Sequence, residues 1–73
     1  MPPVLFFGKL SDLSADGPST PVDSETFRRT LAESRPALAD PSVRMVVNKA
    51  MIDGPVMLRP DDEIAFVPPM SGG

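Results

Sequence analysis

The sequence predicts an α+β domain in which one main helix crosses a small mixed sheet. Three observations predict it: apolar runs of strand length towards both ends, one central amphipathic segment of helical period, and 10 prolines spread between the runs. A chain of 73 residues has room for one domain. Its hydrophobic fraction of 41% and charged fraction of 23% are typical of a globular protein.

The first elements along the chain are two predicted strands. Residues 4–7 are bulky and apolar, as expected of a strand, and residues 11–17 are polar and turn-like. Residues 19–22 predict a second strand that forms a hairpin with the first. Because Pro18 and Pro21 have no N–H to donate, this strand is expected at a sheet edge.

A helix is predicted next, over residues 24–35. Asp23 or Ser24 is a suitable N-cap, and Phe27 and Leu31, four residues apart, give the helix one apolar stripe. A proline at the following position disfavours helical geometry for the last residue, so the helix is expected to end there.

The second half of the chain predicts three more strands. Residues 43–47, a short run at 56–58, and residues 63–67 are apolar and separated by turn-forming residues. A hairpin followed by a helix that covers the sheet is the β-grasp plan, shared by ubiquitin-like proteins. We therefore predict a β-grasp domain over residues 1–69 and a flexible C-terminal tail over residues 70–73.

The composition excludes several classes of function. Ten acidic and seven basic residues give a net charge of −3, which disfavours nucleic acid as a partner. The chain has no cysteine or histidine, which excludes thiol catalysis, Ser-His-Asp triads and the commonest zinc ligands. The acidic run at 61–63 is expected to be a solvated turn, not a magnesium site. We expect a cytoplasmic protein without a membrane span, a metal or a permanently bound cofactor.

The strongest candidate for chemistry is the C-terminal pair Gly72 and Gly73. A frayed chain end is the plain alternative. However, two residues without Cβ let the backbone enter a narrow channel, and the tail directly follows an apolar strand and a stiff Pro-Pro pair. The reactive group would be the Gly73 α-carboxylate. ATP can convert it into an acyl-adenylate, from which a sulfur donor or an amine displaces AMP.

An apolar docking surface is the second candidate. Phe6, Phe7, Phe66 and Val67 lie on the two best strands, where adjacent side chains point to opposite faces. Either one face binds a partner protein, or both faces are covered within the domain. We predict that Phe7, Phe66 or Val67, whichever faces outward, anchors a partner.

Three segments of the chain carry a recognisable pattern. They are the opening Val-Leu-Phe-Phe at 4–7 followed by Gly8, the Val-Asn pair at 47–48, and the closing segment 62–73, which contains Phe-x-Pro-Pro-x-x-Gly-Gly. With them the whole chain resembles the small-subunit family of molybdopterin synthase, which are ubiquitin-like sulfur carriers. It departs from that family at Val67, where an aromatic residue is frequent, and in a shorter, proline-rich loop over 11–21.

The resemblance implies a route for sulfur. A ubiquitin-activating-type adenylating enzyme would use ATP to adenylate Gly73, and a sulfurtransferase route would convert the adenylate into a thiocarboxylate. The large synthase subunit would bind the tail and pass sulfur to cyclic pyranopterin monophosphate, two carriers and two large subunits forming a heterotetramer. Besides Gly72 and Gly73, the implied partner-binding residues are Phe7, Phe66, Val67, Pro68, Pro69, Met70 and Ser71.

Two other functions share the same features. A sulfur carrier for thiamin or cysteine synthesis would use identical tail chemistry with different partners. A ubiquitin-like modifier of lysines, or a plain interaction domain, would need the fold but no sulfur.

Overall fold

A computed structural model describes residues 2–68 and has the predicted α+β architecture. In chain order its strands and helix are β1 (Leu5–Phe6), β2 (Val22–Asp23), α1 (Ser24–Ala32), β3 (Arg44–Val47), β4 (Ala50–Met51), β5 (Met57–Leu58) and β6 (Ile64–Val67). Two short 3₁₀ helices, Gly8–Leu10 and Pro36–Ala39, follow β1 and α1.

The main sheet joins the two ends of the described chain. Its strand order is β1-β6-β3-β4, with β1 parallel to β6 and the other neighbours antiparallel. The register places Leu5 opposite Ala65 and Phe6 opposite Phe66. The first strand therefore lies beside the last, and α1 covers one face of the sheet. This is the predicted β-grasp fold.

The prediction of a hairpin between residues 4–7 and 19–22 is wrong. The segment that runs back along β1 lies earlier: the Val4 N–H donates to the Ala15 carbonyl at 2.9 Å, and the Gly17 N–H donates to the Pro2 carbonyl at 3.2 Å. β2 pairs instead with β5 in a separate two-stranded sheet. Prolines at 18 and 21 lack the N–H groups of a ladder, so pairing is confined to the residues on either side of them.

Helix α1 begins where predicted and ends three residues early. Asp23 is its N-cap, and its side chain accepts a 3.1 Å hydrogen bond from the Thr26 N–H. The helix stops at Ala32, and Arg35 has φ −131° and ψ 76°, outside helical geometry because a proline follows it. The 3₁₀ helix Pro36–Ala39 follows, and it buries Leu38 completely.

The core lies between α1 and the inner face of the main sheet. The rings of Phe6 and Phe66 stack in it, with centroids 5.7 Å apart and an interplanar angle of 12°. Phe27 of α1 is buried against the same cluster. The buried hydrophobic members of this core are Val4, Leu10, Phe27, Leu38, Val43, Met45, Leu58, Ile64 and Phe66.

A tight turn between β3 and β4 escaped the sequence analysis, and with it β4 itself. Asn48 and Lys49 have φ of 52° and 70°, the left-handed geometry of a two-residue hairpin turn. Asn-Gly is the usual sequence of such a turn. Here lysine stands in the second position, so the sequence did not indicate the turn. Asparagine adopts this geometry more readily than most residues, and here its side chain also gains partners.

The Asn48 side chain ties this turn to the loop that precedes β6. Its Oδ1 accepts a 2.9 Å hydrogen bond from the Glu63 N–H, and its Nδ2 donates to Asp62 at 3.1 Å. The Asp62 carboxylate also accepts a 2.8 Å hydrogen bond from the Arg59 N–H. These two hydrogen bonds hold the pKa of Asp62 below its ordinary value. The bond from the Arg59 N–H has the larger effect, and the bond from the Asn48 side chain has the smaller one. The acidic turn is thus a structural element at the start of β6.

Replacing Asp62 should reduce the dependence of stability on pH in the acidic range. A carboxyl group whose pKa is lowered by folding stabilises the fold above its unfolded pKa, and this stabilisation is lost as the pH falls through the folded pKa. We expect Asp62→Ala to lower the melting temperature at pH 7 and the difference from wild type to shrink as the pH falls below about 3.9.

Thermal melts followed by circular dichroism from pH 7 to pH 2 measure this, with Asp61→Ala as the control at the exposed neighbouring position. A difference between Asp62→Ala and wild type that stays constant with pH would contradict the account.

Candidate functional site

The predicted reactive tail continues from β6, whose position is fixed on both sides. β6 lies between β1 and β3 in the main sheet. At its end, the Phe7 N–H donates to the Phe66 carbonyl at 3.2 Å. Pro68, the last described residue, is half-buried. The remaining predicted tail residues lie outside the described part of the chain: Pro69, Met70, Ser71, Gly72 and Gly73.

An apolar row crosses the outer face of the main sheet, opposite α1. Register partners share a face, and the pairs link Leu5 to Ala65, Ala65 to Val46, and Val46 to Met51. The two ends of this row are open to solvent, with Leu5 37% and Met51 54% exposed. We call these four residues the outer row. Sequence analysis missed Leu5, Val46 and Met51, because only the strand register shows that they share a face.

Phe7 and Val67 extend the outer row towards the tail. Phe7 follows the inward-facing Phe6 in extended geometry, and its ring is 49% exposed. Val67 follows the inward-facing Phe66 and is half-buried. The prediction that an outward-facing residue exists among the three candidates is therefore satisfied by Phe7 and in part by Val67. Their binding of a partner stays a prediction.

The assignment of Phe66 to a partner surface requires a correction. Its side chain has 0% exposure and stacks on Phe6 within the core. Neighbouring residues of a strand face opposite sides, so Phe66 and Val67 cannot both face outward. β6 is a central strand, and α1 covers the face of the sheet to which Phe66 points. The Phe66 ring is therefore part of the core.

One charged side chain lies beside this apolar surface. Arg44 is exposed and is the register partner of Val67, so it shares the outer face near the exit of the tail. No pattern in the sequence distinguishes Arg44 from other exposed basic residues. A cation at this point adds a polar contact to the rim of an otherwise apolar surface.

Two polar side chains in the clefts beside α1, Ser24 and Arg28, are hydrogen-bonded within the fold. The buried Ser24 hydroxyl accepts a 2.9 Å hydrogen bond from the Val56 N–H. The Arg28 guanidinium donates to the carbonyls of Leu38 at 2.8 Å and Asp40 at 2.6 Å. Across residues 2–68, acidic side chains form no cluster of three or more able to hold a metal ion. The described part of the chain therefore presents an apolar outer face beside the strand that leads to the tail.

The helices within residues 2–68 are all too short, or too polar, to cross a lipid bilayer.

The β-grasp fold of this chain is the fold of ubiquitin-like proteins. Residues 4–73 match the model of the ThiS family, and the chain belongs to this family of ubiquitin-like sulfur carriers. Its members are small non-catalytic carriers that work with adenylating and sulfur-accepting partners. No curated protein matches the chain.

The outer face and the core should respond differently to loss of a phenylalanine ring. Phe66→Ala should cost about 3–5 kcal/mol of unfolding free energy, since it opens a cavity in the core. That is much of the roughly 4–11 kcal/mol expected for a chain of 73 residues. Phe7→Ala should change the melting temperature little but weaken partner binding by at least about 1–2 kcal/mol, as for a central apolar anchor.

Urea denaturation and titration calorimetry with an adenylating or sulfur-accepting partner separate these effects. Unfolding of Phe7→Ala, or full-strength binding by it, would refute the docking role of Phe7.

Proposed function

We propose that this protein is the sulfur carrier subunit of molybdopterin synthase. The observation that carries the proposal is the closing Phe-x-Pro-Pro-x-x-Gly-Gly motif, which begins at Phe66 and ends at the C-terminal glycine. Membership of the ThiS family supports the carrier chemistry. The motif, together with the opening segment at 4–7, supports the choice of pathway.

The first step is adenylation of the tail. One oxygen of the Gly73 carboxylate attacks the α-phosphorus of ATP, the bond to the β,γ-phosphates breaks, and pyrophosphate leaves. The product is a mixed anhydride between Gly73 and AMP. The adenylating enzyme, of the ubiquitin-activating type, supplies the side chains and holds the ATP. The carrier supplies only a narrow backbone and its terminal carboxylate, consistent with a chain that has no cysteine or histidine.

The second step exchanges AMP for sulfur. A hydrosulfide equivalent, delivered through a sulfurtransferase, attacks the acyl carbon of Gly73, and AMP departs with the bonding electron pair. This leaves a terminal thiocarboxylate. The large synthase subunit then receives the tail, and the thiocarboxylate sulfur forms a bond to a carbon of cyclic pyranopterin monophosphate. Water cleaves the bond between this sulfur and the Gly73 acyl carbon, which restores the Gly73 carboxylate and leaves the sulfur on the pterin. The side chains of the large subunit bind the pterin, and two carriers with two large subunits complete a heterotetramer.

The outer face provides the docking surface in this proposal. Phe7 and the outer row lie beside the strand that leads to the tail, so one partner can contact both together. An apolar anchor supplies most of the affinity. The net charge of −3 steers the carrier towards a phosphate-handling partner rich in basic residues. We assign this activity to the cytoplasm, where ATP drives the first step.

The proposal is tested by intact mass spectrometry of the protein purified from its own cells. Exchange of one oxygen for sulfur adds about 16 Da, and a thiocarboxylate at Gly73 establishes sulfur carriage. Deleting the gene then identifies the pathway. Loss of molybdenum-enzyme activity supports the proposal, whereas a requirement for thiamin or cysteine assigns the carrier to those pathways. A covalent conjugate with lysines of other proteins would make it a modifier instead.

Removing Gly73 should abolish sulfur transfer and leave the fold intact. The shortened chain ends in a different carboxylate, one residue short of the reacting atoms, and chain ends contribute little to stability. Synthase activity reconstituted with purified large subunit measures the loss, and a melting curve measures the fold. One residue added after Gly73 is a second variant with the same expected result, and full activity in either would exclude the terminal carboxylate.

Gly72→Val should impair activation without lowering stability. A β-branched side chain adds width and stiffness where the backbone has to pass through a channel. ATP–pyrophosphate exchange with the adenylating enzyme should fall at least tenfold, about 1.4 kcal/mol of transition-state stabilisation. Gly54→Val is the control, because it makes the same substitution at an exposed turn where an added Cβ meets nothing within 4 Å. A wild-type exchange rate for Gly72→Val would contradict the narrow-channel argument.

A further inference from the structure

Gly8 lies against the residue from which the tail departs. It is the first residue of the 3₁₀ helix Gly8–Leu10, and its φ is 58°, a left-handed conformation that side chains other than glycine rarely adopt. A Cβ placed on Gly8 would lie 2.8 Å from Cγ of Pro68 and 3.5 Å from its Cδ. Carbon atoms pack at about 3.5–4.0 Å, so the absence of this one Cβ is what lets Pro68 occupy its position.

Two hydrogen bonds and a buried side chain fix the surroundings of Gly8. The Phe7 N–H donates to the Phe66 carbonyl at 3.2 Å, and the Ser11 N–H donates to the Gly8 carbonyl at 3.0 Å. Leu10 is 5% exposed and anchors the 3₁₀ helix in the core. The turn around Gly8 therefore cannot move aside easily, and crowding there would displace Pro68.

A displacement of Pro68 would reach its backbone. The Pro68 ring closes on its own nitrogen, so Cγ cannot swing away as the end of a flexible side chain does. Pro69 follows it in the sequence, and two consecutive prolines have restricted φ while the first is confined to extended geometry. A change in direction at Pro68 is thereby passed on to the segment that carries the reactive carboxylate.

We propose that Gly8 is a positioning residue for the C-terminal tail: the missing side chain seats Pro68 against the β1 turn and thereby sets where the tail leaves the domain. Reaction geometry tolerates little error, since a misplacement of about 1 Å can cost about 100-fold in rate. The inference rests on the proposed use of the Gly73 carboxylate, because a tail that takes part in no reaction would not need to leave the domain at a defined position.

The test is a double-mutant cycle between Gly8→Ala and Pro68→Ala, read by ATP–pyrophosphate exchange with the adenylating enzyme. Gly8→Ala should lower kcat/KM at least tenfold, mainly through kcat because the outer row and the Phe7 ring are unchanged. In the Pro68→Ala background, which removes Cγ and Cδ, the same substitution should have little effect. Equal losses in both backgrounds, or no loss in a folded Gly8→Ala, would overturn the proposal.

Matched controls separate positioning from general strain. Gly17→Ala brings a Cβ to 2.7 Å from the Pro2 carbonyl oxygen without involving Pro68, and Gly54→Ala meets nothing within 4 Å. Neither should change kcat in the folded protein. Should Gly8→Ala fail to fold, Gly8→Asn replaces it in the cycle, because asparagine tolerates the left-handed conformation yet retains the Cβ.

A measurement that does not depend on adenylation distinguishes this inference from the proposed function. In ¹⁵N NMR spectra, Gly8→Ala should shift the amide resonances of Val67 and of residues 70–73, and Pro68→Ala should remove most of that shift. Unmoved resonances would refute the positioning role even if adenylation proceeds. If Gly8→Ala shifts these resonances but the wild-type protein is never adenylated, the positioning role is supported and the proposed function is refuted.

Discussion

The parallel pairing of β1 with β6 is the constraint on which the other features depend. It joins the first strand to the last, at the register Phe6 opposite Phe66, and the two rings stack across it. A parallel pair cannot close through a tight turn, so the chain between them has to cross over. That crossover contains α1, which covers the inner face and completes the core. The same pairing places Phe7 beside the end of β6, where the tail begins.

β6 is held at both ends by interactions of different kinds. At its start, Asn48 and Asp62 bind the preceding loop through side-chain hydrogen bonds. At its end, the Phe7 N–H bonds to Phe66, and Pro68 lies against Gly8. A strand fixed in this way gives a defined base to the segment that follows. This arrangement suits the proposed use of the Gly73 carboxylate by partner enzymes.

Each face of the main sheet has a separate task. Inward residues such as Phe66 and Ile64 stabilise a small domain that has little stability to spare. Outward residues such as Phe7 and Met51 remain exposed at a cost in solubility, which is expected of a surface that partners cover. A substitution on one face should consequently affect stability, and a substitution one residue away should affect binding.

Much of the fold and of the proposed chemistry follows from the sequence alone. Residue type and spacing predicted the helix, its N-cap at Asp23 or Ser24 and the strong strands, because these depend on local preferences. The Gly-Gly terminus and the absence of cysteine and histidine led to carrier chemistry without any structure. The tertiary structure alone decided that β2 pairs with β5, that β4 exists, that Phe66 faces inward while Phe7 faces outward, and that Gly8 meets Pro68. Strand register and the covered face of a sheet arise from contacts between residues distant in the sequence, so no local pattern contains them.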